Sequence, residues 1–289
     1  VSALMRPPRW CWYRAELSPA YLIHVGEISD QADHIEFGHS ILFCPEVVRL
    51  DTVDSTNSEL MRRCRLGPVP AWTAVISQEQ TAGRGRLDRS WQSEPGSGLW
   101  CSVLVDLSGC PSPTWLPLIS GLAVLDACIG LGAAVELKWP NDVTAGGKKL
   151  GGILIESAGR PNQWIVGIGI NVTVAHFPHS VALSDLCFPL PDIQTVFHGV
   201  FGSLHAVVES WRETTWDTSQ VSARYQSACS SIGAQLSIAR PGVNTFLAKG
   251  VGIDESGHLV IQRVGEKPEV IVAADVVHAT ISECTQPNS

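Results

Sequence analysis

The sequence predicts an α/β chain of the α+β kind, in which a domain of mixed strands and helices is followed by a small all-β unit. Three observations carry that prediction. Strand-like alternation and helix-like spacing of three and four residues take turns from residue 47 to about residue 230. Between residues 135 and 174, apolar runs are joined by turns too short for crossover helices, so neighbouring strands pair antiparallel. From Ile232 onward only short strand candidates remain, separated by turns.

Residues 1–46 mix Pro, Trp, His and isolated apolar positions without a sustained period, and are read as a leader that is either a tail or a small module. Residues 47–53 alternate as a strand. Thr56 followed by Glu59 has the capping-box pattern and opens a helix through Leu60, Met61 and Cys64, which Gly67 and Pro68 end. Residues 71–77 are a β-branched run, 78–98 a polar glycine-rich loop, and 99–107 a second alternating strand. Residues 116–131 are apolar on most sides, which marks a buried helix. The β region comprises 135–139, 149–157 and 164–174, with turns at 145–148 and 159–162. Apolar residues from Ile193 to Trp211 recur every three or four positions, giving a long amphipathic helix, and a second helix is expected over 221–229. Turns at 240–242, 254–257 and 265–268 cut the remainder into a terminal barrel or sandwich of about fifty residues. The expected organisation is a leader (1–46), a mixed domain (47–230), a β unit (231–284) and a tail (285–289).

The 289 residues are 45% hydrophobic and 17% charged, enough apolar material for a substantial core and too little charge for a disordered polyelectrolyte. With 20 Lys plus Arg against 28 Asp plus Glu, the formal charge is -8. An acidic total excludes broad binding to nucleic acid or to anionic membrane, both of which need surplus Lys and Arg. The deficit is uneven: residues 51–152 hold 9 basic and 10 acidic side chains, whereas 153–289 hold 7 and 12. The nearly neutral middle contains the one tight basic cluster. Nine cysteines, without a C-x-x-C pair or zinc spacing, suit unpaired thiols in a reducing cytoplasm. No secretory signal fits the start, where Arg6, Pro7, Pro8, Arg9 and Arg14 interrupt any apolar run. The uncharged stretch 107–125 has the length of a membrane span, but Pro111, Pro113 and Pro117 make it a loop leading into a buried helix.

Five segments could carry chemistry. In Gln80-Thr81-Ala82-Gly83-Arg84-Gly85-Arg86-Leu87-Asp88-Arg89-Ser90-Trp91, glycines let backbone N–H groups approach an anion and three arginines can fork onto phosphate oxygens; a solvated turn has the same composition. Lys138-Trp139-Pro140-Asn141-Asp142 puts a lysine among apolar strand residues, where it either snorkels or meets a buried anion, while Pro140 to Asp142 alone would simply build a turn. Gly151 and Gly152 inside Lys149–Glu156, and Gly167 and Gly169 before Asn171, indicate either a ligand lying on the strand backbone or close packing. Ser55, Thr56 and Asn57, at a helix start, offer hydroxyls and an amide to a small polar ring.

Taken in order, STN, QTAGRGR...W, KWPND, KLGGILIE and GIGIN, followed by GVGIDESGHLVI, resemble the biotin protein ligases, also called biotin-acetyl-CoA-carboxylase ligases or holocarboxylase synthetases, over about residues 50–284. The resemblance implies a catalytic domain with a mixed sheet, related to class II aminoacyl-tRNA synthetases and lipoate ligases, and an SH3-like barrel after it. It implies two steps: ATP and biotin give biotinyl-5'-AMP and pyrophosphate, then a lysine of a biotin carboxyl carrier domain takes the biotinyl group. Ser55, Thr56, Asn57 and Gln80 are then expected around the biotin head group, and Arg84, Gly85 and Arg86 in a loop that orders over biotin and adenylate. Lys138 is expected to stabilise negative charge, Gly151 and Gly152 to let backbone lie against biotin, and Trp91 and Asn171 to stand on the adenine side. Biotin and ATP are implied as substrates, with Mg2+ on the triphosphate and its ligands unassigned.

Two features depart from the family. Where its commonest pattern continues the loop with a small or basic residue and a glycine, this chain has Leu87 and Asp88. Some members carry an N-terminal helix-turn-helix that represses biotin-synthesis genes; residues 1–46 show no such pattern, so no DNA partner is expected. A lipoate or octanoyl ligase of the same fold and a biotin-sensing regulator are the alternatives, and a homodimer is left open.

Overall fold

The computed structural model describes residues 34–278 apart from 38–39, 87–88, 176, 241–242 and 273–274, so most of the expected leader and all of the tail lie outside the described residues. The described part of the expected leader is structured. β1 (His34–Phe37) and β2 (Ser40–Phe43) pair antiparallel as a hairpin, each strand too short for a period to register in the sequence.

β3 (Val47–Val53) runs parallel to β4 (Ala74–Gln80), and α1 (Thr56–Leu66) joins them across one face. The remaining pairs are antiparallel. With β5 (Gly98–Asp106), β6 (Glu136–Lys138), β7 (Asp142–Ala145), β8 (Lys148–Ser157) and β9 (Gln163–Asn171), they complete a seven-stranded sheet in the order β3-β4-β5-β9-β8-β7-β6. No strand is expected from the sequence at β7, whose four residues lie between the turn-forming Pro140 and the turn at 145–148. Gly146 and Gly147, at φ 56° and 75°, provide the two left-handed positions of its tight hairpin to β8. The expected capping box is also not made. Thr56 is the first residue of α1 rather than its cap; its hydroxyl turns to Gln80 and Ser102, and Glu59 pairs with Arg62 and Arg63 instead.

α2 (Leu116–Gly130) and α3 (Ile193–Glu213) cover the sheet face opposite α1. The apolar window at Pro113–Gly130 has a mean hydropathy of 1.4, yet 67% of it is buried inside the protein, as a core helix requires. On α3, Asp192 caps the start by accepting from the Thr195 N–H at 2.6 Å, and the stripe Val196, Phe197, Val200, Leu204, Val208 and Trp211 is buried. Each of these side chains contributes about 1.5–3 kcal/mol by leaving water.

After α4 (Ser219–Ala228), the chain forms β10 (Gln235–Arg240), β11 (Val243–Ile253), β12 (Leu259–Gln262), β13 (Glu269–Ile271) and β14 (Asp275–His278). They make a second, antiparallel sheet ordered β13-β12-β11-β10-β14, consistent with a small barrel-like unit. It is fastened to the first sheet beside β6. The Ser230 N–H donates to the Leu137 carbonyl at 2.8 Å, and the indole N–H groups of Trp115 and Trp139 donate to the Glu255 and Gly257 carbonyls at 2.8 and 3.1 Å.

Candidate active site

Strand register builds the floor of the site. Lys138 stands opposite Asp142, Asp142 opposite Gly152, Gly152 opposite Gly169, and Gly169 opposite Trp100, so one rung crosses β6, β7, β8, β9 and β5. A second rung joins Leu154, Gly167 and Ser102. Residues opposite one another share a sheet face, so three glycines form a depression on the α1 side. Over it lies a cavity of 780 Å3, within the range of small-molecule sites.

The glycines admit two side chains. A Cβ on Gly167 would collide with the Asn57 amide, and one on Gly169 would lie 2.9 Å from Trp91 Cε2. Gly152 would put its Cβ 3.2 Å from Trp91 Cζ3. Close packing and a bare floor are therefore the same feature. Trp91 rests on the two glycines, edge-on to Trp100, with its buried indole N–H lacking a hydrogen-bond partner. Gly151 does not line the cavity: it stands opposite Ile170 and Val143, on the helix-covered face, because successive strand residues alternate sides.

At one end of the cavity is a buried neutral network. The Thr56 N–H donates to Gln80 Oε1 at 2.9 Å, and Gln80 Nε2 donates to Ser93 Oγ at 2.9 Å. Ser102 Oγ lies 2.7 Å from Thr56 Oγ1 and 2.5 Å from Asn57 Oδ1. Ser55 completes the wall from the N-cap of α1. Ser55, Thr56 and Asn57 come from the β3–α1 junction, Gln80 from β4 and Ser102 from β5, which meet because β4 lies between β3 and β5.

Toward β6 and β7 the lining turns cationic, and Arg84 meets the neutral network through Glu156. Arg84, Arg86, Arg89, Lys138 and Lys149 line the cavity, and Asp142 is the one carboxylate doing so among the described residues. The loop is a narrow hairpin in which the Trp91 N–H donates to the Gly83 carbonyl at 2.8 Å and the Gly85 N–H to the Arg89 carbonyl at 2.7 Å. Its tip, Leu87 and Asp88, lies outside the described residues. Arg84 pairs with Glu156 at 2.8 Å, and Arg86 reaches Asn141 Oδ1 at 3.4 Å. Asn141 is itself fixed by donating to the Ile153 carbonyl at 2.7 Å. Charge excess of this kind, fixed by hydrogen bonds, attracts and orients an anion.

Lys149 was not among the expected site residues. Its ammonium meets Asp142 at 2.5 Å and lies 5.1 Å from the Trp91 ring centre. Strict alternation would place it with Gly151 on the helix side. A bulge in the β7–β8 pairing, where Lys149 opposes Thr144 and Gly151 opposes Val143, re-aims it. Asn171 lines the cavity but donates its amide to the Val181 carbonyl at 3.1 Å, anchoring the segment that brings Phe177 and Ser180 to the rim. Ala239 of β10 also reaches the rim, so the second sheet contributes to the site. Cys101 borders the cavity through β5, and burial pushes its thiol up to about 12.

A sheet that spreads a glycine floor beneath both a neutral polar pocket and a cationic cluster defines a protein that holds a small polar ring beside an anion. The profile described as "Biotin/lipoate A/B protein ligase family" matches residues 50–171. The chain is 36% identical over 233 residues to the "Biotin--[acetyl-CoA-carboxylase] ligase" of Mycobacterium tuberculosis, covering 78% of this chain and 85% of that protein. The protein of the same description from Paracoccus denitrificans is 31% identical, covering 78% of this chain and 98% of its own length. Among solved structures, "Biotin protein ligase from Aquifex aeolicus in complex with biotin and ATP" superposes with a TM-score of 0.70 at 28% identity, covering 81% of this chain and 99% of that one. The chain belongs to the biotin protein ligases of this family.

Proposed function

We propose that the chain biotinylates a specific lysine of a biotin carboxyl carrier protein or domain, of the acetyl-CoA carboxylase type, at the expense of ATP and through biotinyl-5'-AMP. The observation that carries this is one cavity with a neutral, hydrogen-bonded end beside a cationic end. A ureido ring suits the first, because it offers N–H donors and a carbonyl to hydroxyls and amides. A carboxylate facing a phosphate suits the second, because bringing two anions together needs fixed positive charge.

In the first step a biotin carboxylate oxygen attacks the α-phosphorus, the bond to the bridging oxygen breaks, and pyrophosphate leaves. In the second, the neutral amine of the carrier lysine attacks the acyl carbonyl, AMP leaves, and the amine proton is lost. Ser55, Thr56, Asn57 and Gln80 hold the head group, and Gly152 continues the floor beside it beneath Trp91. Arg84, Gly85 and Arg86 close over the acyl phosphate. Lys149 joins Lys138 in neutralising charge that grows on the α-phosphate, supported by its direct approach to Trp91 and Asp142. Trp91 is the apolar wall between the two ends, and Asn171 positions the rim on the nucleotide side. Mg2+ would come with ATP and would be held mostly by phosphate and water ligands, because the lining carboxylate, Asp142, is paired with Lys149.

A carrier domain and no DNA are the partners of this reading, a reducing cytoplasm is the compartment that suits its thiols, and a homodimer is compatible with it. Incubation with biotin, ATP, Mg2+ and an apo carrier domain is expected to give streptavidin-reactive carrier and AMP. A well-folded sample that yields neither, or that prefers lipoate to biotin, overturns the assignment.

A further inference from the structure

Glu156 ends the KLGGILIE run on β8, on the same face as Gly152 and Leu154, and has no role in the steps above. Its Oε2 accepts from Asn57 Nδ2 at 2.8 Å and from Arg84 at 2.8 Å. We propose that Glu156 is a positioning residue that sets the hydrogen-bond polarity of the head-group pocket, and thereby its specificity for a ring that presents N–H donors. The proposal rests on the biotin ligase reading and deepens it.

The argument is proton counting. A carboxylate only accepts, so Asn57 must turn its NH2 toward Glu156 and its Oδ1 inward. The Leu154 carbonyl supports that orientation from 3.3 Å, a weaker contact. Asn57 Oδ1 also only accepts, so the single proton of Ser102 is committed to it across 2.5 Å. Ser102 Oγ and Thr56 Oγ1, 2.7 Å apart, still need a proton between them, and only the Thr56 hydroxyl has one left, which goes to this short contact rather than to Gln80 Oε1 at 3.3 Å. Thr56 thus donates inward and offers its remaining lone pair outward. Gln80 Oε1 takes the Thr56 N–H at 2.9 Å and its Nε2 donates to Ser93 at 2.9 Å. The chain of donors therefore runs one way, from Thr56 to the carboxylate of Glu156, and what faces the cavity is an acceptor. Thr56 and Asn57 are each 3% exposed and Ser102 is fully buried, so water does not randomise the order.

An acceptor suits ureido N–H groups and offers nothing to a dithiolane ring. Removing the carboxylate frees Asn57 to flip, which presents a donor to Ser102, reverses the chain, and turns the Thr56 proton toward the ligand. The test is calorimetric titration of biotin, and separately of ATP, into the full chain and the variants Glu156→Leu, Glu156→Gln, Ser102→Ala and Glu156→Leu with Ser102→Ala. A single reversed buried contact is expected to weaken biotin about tenfold in Glu156→Leu. ATP binding is not weakened, because Arg84, released from Glu156, stays available to the phosphates, a split that general loosening of the fold would not produce. Glu156→Gln, whose amide oxygen can replace Oε2, restores binding to within about threefold of the parent. Ser102→Ala weakens biotin, and adding Glu156→Leu to it costs nothing more, because the relay is already cut.

Parent-like biotin binding by Glu156→Leu, or fully additive losses, overturns the relay while leaving the ligase reading in place. Absence of biotin binding by the parent chain overturns the ligase reading itself. Should Glu156→Leu not melt cooperatively, Asn57→Asp and its combination with Glu156→Gln decide. The exchange rebuilds the bond with acid and amide swapped, and its failure to recover the biotin binding lost in Asn57→Asp alone refutes the proposal.

Discussion

Replacing Gly169 by alanine tests whether the glycine floor exists for Trp91. The new Cβ would lie 2.9 Å from Trp91 Cε2 and 3.1 Å from Cζ2 and Nε1. Ordinary carbon contacts are about 3.5–4.0 Å, so the indole must withdraw by about 0.6–1 Å. The backbone adds no strain, because Gly169 is not among the positive-φ residues. Overpacking of this size costs about 1–3 kcal/mol, and in a chain of this length each kcal/mol lowers Tm by about 2–4 °C. The larger effect is expected on catalysis, since moving a wall of the reacting site by about 1 Å can cost on the order of a hundredfold in rate. Biotin-dependent pyrophosphate release measures the rate, and calorimetric melting measures the fold. Gly67→Ala is the control: Gly67 is extended at φ -176°, and its added Cβ meets nothing within 4 Å. Parent-like Tm and turnover in Gly169→Ala, or equal damage from Gly67→Ala, would refute the reasoning.

Other consequences are as direct. Lys149→Ala is expected to slow pyrophosphate release by about a hundredfold with little effect on Tm, and Lys138→Ala to impair the same step; a parent-like rate removes that lysine from the anion set. Arg62 holds the Asp54 carboxyl down at about 2, helped by the Ser55 N–H. A depressed folded-state value stabilises the protein above the ordinary carboxylate range of about 4 and loses that contribution as pH falls toward 2, so melts from pH 5 to 2 should decline less steeply in Arg62→Ala than in the parent. Cys101, pushed up to about 12 by burial, should resist iodoacetamide at pH 8 in the folded protein although it borders the cavity; labelling at the rate of a free thiol would contradict that.

Much of the site was legible because its residues are chemically unusual for their places. Ser55, Thr56 and Asn57 at a helix start, and Arg84 and Arg86 in a glycine hairpin, stand out in one dimension. The strands around Gly152 and Gly169 were legible too, but not which glycine of a pair faces the ligand. Gly151 and Gly152 are equivalent as letters and opposite as geometry, since register with Ile170 or Gly169 decides the face. Lys149 was hidden for a related reason, because a bulge changes parity without leaving a mark in composition. Thr56 and Glu59 matched a capping box and made none, as local pattern lost to a partner 46 residues away, Ser102.

The sequence by itself determined the order of elements apart from the β1–β2 hairpin and β7, the burial of α2 despite its membrane-like hydropathy, the antiparallel β region and the family, because these depend on periodicity, turn residues and motifs within reach along the chain. Only the tertiary structure decided the rung that joins Lys138, Asp142, Gly152, Gly169 and Trp100, the turning of Lys149 toward Trp91, and the contact of Glu156 with both Asn57 and Arg84. Those contacts join residues up to about a hundred positions apart, where loop closure sets no preferred partner and packing and hydrogen-bond satisfaction alone choose among the alternatives.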